Sequence, residues 1–181
     1  MKKSLFIAVL TGLSWISLSA QSKSTVSPTS ASKIPKEWLG YWQKGTFSLT
    51  SFEQQDGKYV GPANETSVSY VIEENGVAKE YFISNTNTYN CRMQILGYRK
   101  GTLIANSNDN SFEFQPTSGY YSSVSCMSKT KTKKPYGDKD LYPNYGAKLY
   151  VEKDGSGSPV LVAKNYQGSG ELQLKKQSKA K

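Results

Sequence analysis

The side chains able to do chemistry are few. The chain has 181 residues and no histidine, which excludes a Ser-His-Asp triad, a Cys-His pair and a His-ligated zinc centre. Its two cysteines, Cys91 and Cys126, are too few for a Cys₄ site. Most of the 14 acids sit in turn-like or polar stretches, among them Asp56, Glu73, Glu74, Asp109, Asp138, Asp140 and Asp154. Only Glu80 and Glu113 fall in mid-strand, and glycoside hydrolysis needs two carboxyls facing each other across a pocket. Glu113 alternates away from Phe112 and Phe114, whereas Glu80 shares a phase with Phe82. Asp154-Gly155-Ser156-Gly157 lacks the repeated acids of a calcium loop. The expectation is a non-enzymatic protein with no metal and no cofactor.

The remaining chemistry lies in aromatic rings and lysines. There are 13 Tyr, and several stand next to another ring: Tyr41-Trp42, Tyr81-Phe82, Tyr120-Tyr121. By strand phase, Trp42, Phe47, Tyr70, Tyr81, Met93, Phe112, Phe114 and Tyr120 are the residues that would line a barrel cavity for a small apolar or amphipathic ligand. The same rings would otherwise fill a core and decorate sheet faces. The formal net charge is +9, and Lys129, Lys131, Lys133 and Lys134 form a basic run. Lysine dominates and arginine is nearly absent, which argues against nucleic acid because bidentate phosphate recognition favours Arg. Phosphate, an acidic polysaccharide or a membrane surface fits the run, a protein partner fits a surface that joins it to exposed aromatics, and plain solvation fits as well.

The compartment follows from the first residues. Met1-Lys2-Lys3, an apolar run from Leu5 to Leu18, and Ser19-Ala20 before Gln21 make a secretory signal over residues 1–20. That apolar run is too short and too interrupted to span a membrane. The expected product is secreted or periplasmic, and there an even cysteine count normally oxidises. A Cys91–Cys126 disulfide would stabilise by roughly 3–4 kcal/mol in the chain-entropy model. A redox-active pair would need Cys-x-x-Cys or an exposed cationic thiolate, and the first is missing. Residues 21–35 read as a flexible tether rich in Ser, Thr and Pro, 36–175 as the folded domain, and 176–181 as a basic tail.

The elements that must position these side chains are strands. Period-2 alternation recurs, with Phe112/Phe114, Ala147/Leu149/Val151, Leu172/Leu174, Val68/Tyr70/Ile72 and Tyr89/Cys91/Met93/Ile95 each on one face. Asn75-Gly76 between two such runs predicts a hairpin. Ten runs qualify: 38–50, 66–73, 78–84, 89–99, 101–106, 111–116, 119–126, 146–152, 159–164 and 170–175. The fold class is all-β, an antiparallel up-and-down barrel of about eight to ten strands, with a β-sandwich as the alternative. Residues 127–145 read as a long irregular loop.

Gly40-Tyr41-Trp42 resembles the Gly-x-Trp that opens the first strand of lipocalins and related calycins. The resemblance implies a secreted, lipocalin-like barrel whose Trp plugs one end beneath an Arg from a late strand, and whose interior holds a small apolar ligand. The stretch from Trp38 through Cys91 to Cys126 also resembles small exported bacterial domains of no assigned activity. The only arginines, Arg92 and Arg99, lie in middle strands, which departs from that pattern. Two functions are therefore expected: a barrel that carries a ligand inside, or a surface-interaction module using exposed aromatics and the lysine loop.

Overall fold

The computed structural model describes residues 33–46, 64–128, 131–168 and 170–178; the leader and Phe47 lie outside them. Among these described residues nine antiparallel strands are formed: β1 (Gly40–Lys44), β2 (Glu65–Ile72), β3 (Val77–Thr88), β4 (Cys91–Ala105), β5 (Ser111–Ser125), β6 (Thr132–Pro135), β7 (Ala147–Lys153), β8 (Pro159–Asn165) and β9 (Glu171–Gln177). Each of the eight barrel strands pairs with its sequence neighbour, and β1 closes on β9, giving an up-and-down cylinder. On the edge away from β4, β5 serves two partners along its length. Ser111–Phe114 pairs with β7, while Tyr120–Ser123 pairs with the short extra strand β6. No helix among the described residues is long and apolar enough to cross a membrane.

Alternation sorts the side chains. Trp42, Tyr70, Ile72, Ala78, Leu103, Phe112, Phe114, Leu149, Leu161 and Leu174, from all eight barrel strands, form one buried cluster inside the cylinder. Trp38 closes one end. It stands in a 3₁₀ turn (Lys36–Trp38) just before β1, its ring meets Phe112 edge-on at 4.8 Å, and its carbonyl accepts from Trp42 Nε1 at 2.8 Å. Lys176 of β9 is the cross-strand partner of Trp42. Its ammonium lies 5.2 Å from the indole centroid and donates to the Glu37 carbonyl at 2.8 Å. A late-strand cation thus covers the plug, but as Lys rather than Arg, at a position read as tail.

Other boundaries move as well. Ile34, read as tether, is buried in the core cluster, and β9 extends through Gln177. The two run pairs 89–99/101–106 and 111–116/119–126 are single strands, β4 and β5. They stay continuous because a bulge at Lys100/Gly101 absorbs the irregularity. Gly101 is required there: a Cβ would come 2.0 Å from the Gln115 carbonyl oxygen. Residues 127–145 hold β6 and a 3₁₀ turn at Asp138–Asp140 rather than a structureless loop. Asn75-Gly76 makes its hairpin, with Gly76 at φ 79° and the Asn75 side chain accepting from Val77 N at 3.0 Å.

The face proposed for Tyr89, Cys91, Met93 and Ile95 is not a core face. Tyr89 and Asn90 occupy a two-residue turn with φ 49° and 61°. Beyond it β3, β4 and β5 outrun the barrel as an extension, so their ends do not face the interior of the cylinder. There the opposite phase, Ile83 and Leu96 with Gln94, is the buried one.

Cys91 and Cys126 form the expected disulfide, with Cα atoms 5.1 Å apart, and clip β4 to the end of β5 on this extension. Because it sits at the free end rather than in the barrel, Cys91→Ser with Cys126→Ser should cost about 3 kcal/mol, the lower part of the chain-entropy range. Denaturant unfolding of oxidised protein against the double variant checks this. A loss under 1 kcal/mol would show that the loop contributes little to the unfolded ensemble's freedom.

Candidate functional site

Four of the eight proposed pocket residues come together. Trp42, Tyr70, Phe112 and Phe114 are mutually packed inside the barrel, Tyr70 meeting Phe114 edge-on at 5.7 Å. They are almost wholly withdrawn from solvent, Trp42, Tyr70 and Phe114 at 0 % exposure and Phe112 at 5 %. Tyr81 and Tyr120 lie on the opposite face of their strands, in a separate group joined through Tyr98, with successive ring centroids 5.1 and 5.3 Å apart. Met93 is 51 % exposed on the extension, so it does not line the interior. Phe47 lies outside the described residues.

The strongest polar cluster stands toward the barrel's other end. Glu80 of β3 accepts from Tyr70 Oη at 2.8 Å and from Arg99 Nη1 of β4 at 2.8 Å. The Arg99 guanidinium lies 4.6 Å from the ring centroids of both Tyr136 and Tyr145, which ties the segment after β6 across the mouth. Tyr136 packs so closely that a Cβ on Gly97 would come 2.7 Å from its hydroxyl. Burial, and then the Glu80 charge, pushes the Tyr70 hydroxyl well above the ordinary tyrosine range. At Arg99, burial pulls the other way, yet the charge and hydrogen bond of Glu80 leave the guanidinium above its usual value.

The carboxylate pair required for hydrolysis is not assembled. Glu80 faces inward, but Glu113 pairs with Lys148 on the outer surface, where it accepts from Tyr166 Oη at 2.8 Å and Gln115 Nε2 at 3.1 Å. Among the described residues no group of three metal-ligating side chains occurs.

An outer hollow of about 730 Å³ runs over β7 and β8, lined by Asp109, Lys148, Tyr150, Lys164, Tyr166 and Glu171 among others. Its charges are matched internally. Lys148 pairs with Asp109 at 2.5 Å and Lys164 with Glu171 at 3.5 Å, while Asp109 also accepts from Ser111. The hydrogen bond from the Lys148 ammonium, and then that from Ser111, hold the Asp109 carboxyl below its ordinary value. Desolvation, then the bond to Glu113, pushes the Tyr166 hydroxyl far above its usual range. Among the described residues lining this hollow each lysine is paired with an acid, so it presents no surface of one sign.

The extension is different. No Asp or Glu occurs between Glu80 and Asp109 or between Glu113 and Asp138, so β4, β6 and the distal halves of β3 and β5 are free of acids. Lys133 and Lys134 are exposed on β6 and Lys131 is exposed just before it, Lys133 standing 3.9 Å from the Tyr120 ring centroid. Glu65, the nearest acid on β2, pairs opposite Asn85 and is engaged by Thr46. At the tip Tyr89 is 99 % and Met127 92 % exposed, and Ile95 is 45 % exposed beside Met93. Phase in a strand separates two faces without saying which is inward, so this surface was legible only as a lysine run.

These sites define a closed eight-stranded antiparallel barrel with an added edge strand, consistent with a lipocalin-like fold. Compared with protein-family models and with curated proteins, the chain matches none.

Proposed function

We propose that this is an exported, non-enzymatic, lipocalin-like barrel that binds a polyanionic partner on its outside, through the acid-free extension. It is the second of the two functions expected above. One observation carries the choice: the interior positions that would line a ligand cavity, Trp42, Tyr70, Phe112 and Phe114, are packed against each other and closed to solvent. Close-packed interiors leave few voids larger than a water molecule. Around β6, neither the strand itself nor the distal part of β5 contains an Asp or Glu, so the charge of this surface is of one sign. The disulfide fits the oxidising compartment that the leader implies.

Immobilised dextran sulfate and tryptophan fluorescence test this together. Retention on the polyanion should be lost as salt rises from 0.1 to 1 M, which contracts the Debye length from about 10 Å to about 3 Å. Lys131→Glu with Lys133→Glu should lower affinity at least about tenfold, since each reversal places a negative charge where a positive one met the partner. Fatty acids, retinoids and porphyrins should give no saturable quenching. Saturable quenching, with dextran sulfate binding indifferent to the two lysines, would restore the interior-carrier function.

A further inference from the structure

We infer that the polyanion met by the extension is an anionic lipid surface, into whose interfacial layer the tip inserts; this rests on the outer-surface binding proposed above. A soluble acidic polymer needs cations alone. The tip carries more than cations. Tyr89 projects from the turn at 99 % exposure and Met127 from the segment after Cys126 at 92 %. The Cys91–Cys126 disulfide holds these two segments together, with Cα atoms 5.1 Å apart. Met93 and Ile95, about half exposed, continue the apolar surface along β4. Large apolar side chains exposed together at one end mark an interaction site more often than scattered ones do. Tyrosine in particular settles at the boundary between headgroups and acyl chains, where its ring is apolar and its hydroxyl wet.

Charge complementarity selects the type of lipid. Lys133 and Lys134 lie on the exposed edge strand beside this tip, with Lys131 just before it, and no carboxylate occurs on the stretches of β4, β5 and β6 that carry it. A lysine near an anionic bilayer strengthens partitioning about fivefold, and the effect vanishes beyond a Debye length. Apolar insertion and headgroup attraction are each weak alone and reinforce one another at a membrane surface.

The test is co-sedimentation of the exported, oxidised protein with vesicles of phosphatidylglycerol and phosphatidylcholine, and with pure phosphatidylcholine vesicles. Binding should be at least about tenfold tighter to the anionic vesicles. Tyr89→Asn with Met127→Ser should weaken vesicle binding severalfold while leaving retention on dextran sulfate unchanged. Both replacements sit on exposed positions, and asparagine tolerates the positive φ of Tyr89. Lysine-dependent retention on dextran sulfate without vesicle binding would overturn the lipid assignment and leave the outer-surface function standing. The lipid assignment is equally overturned if the tip variant binds vesicles as well as the parent. Failure to bind either probe would remove both.

Discussion

Replacing Trp42 with alanine is expected to destabilise the protein by about 3–5 kcal/mol, as for a large aromatic removed from a core. Three losses coincide. The indole is at 0 % exposure amid residues of all eight barrel strands. Its Nε1 satisfies the Trp38 carbonyl, which would be left without that donor in a buried position. Lys176 would lose the ring over which its ammonium lies. Trp42→Phe separates these contributions, because it keeps much of the volume and removes the donor; it should cost about 1–3 kcal/mol, the penalty of an unsatisfied buried acceptor. Urea midpoints for the two variants supply the comparison. If alanine costs no more than phenylalanine, the ring's volume is not what closes that end.

Glu80→Ala is expected to cost a similar amount, about 3–5 kcal/mol, because it strands a buried cation. The Arg99 guanidinium and the Glu80 carboxylate are 14 % and 9 % exposed at their side chains, so water compensates little. Tyr70 Oη loses its acceptor in the same step. The double variant Glu80→Met/Arg99→Met removes both charges and should recover part of the loss, since replacing a buried pair by apolar groups is often close to neutral. Recovery stays incomplete, because the contacts of Arg99 with Tyr136 and Tyr145 go too. Purely additive effects in the two-residue cycle would show that Glu80 and Arg99 do not act as a pair.

Much of the barrel could be read from alternation. Phe112/Phe114, Ala147/Leu149 and Leu172/Leu174 face inward as expected because each strand there has the core on one side and the outer surface on the other. The runs 89–99/101–106 and 111–116/119–126 were divided next to Gly101 and Pro116, where β4 and β5 in fact continue. Paired across a bulge, these two residues bend the sheet without ending it. Met93 was assigned inward because the phase it shares with Ile95 is regular, but regularity persists where a strand leaves the cylinder. Arg99 went unnoticed as a structural centre because its partners are Glu80, 19 positions upstream, and two tyrosines in a stretch with no periodic signal. Lys176 was hidden for a related reason: only the β1–β9 register places it on Trp42.

That register has a temporal side. Trp42 and its neighbours find their last partners in a strand whose Lys176 bonds to Glu37 across 139 positions, so no shorter portion of the polypeptide can seal the tube. Such distant pairing delays the rewarding contacts until the closing segment arrives. A molecule threaded through a translocation pore from its amino end would emerge as an open ribbon, and become a cylinder only after the final stretch had cleared the pore.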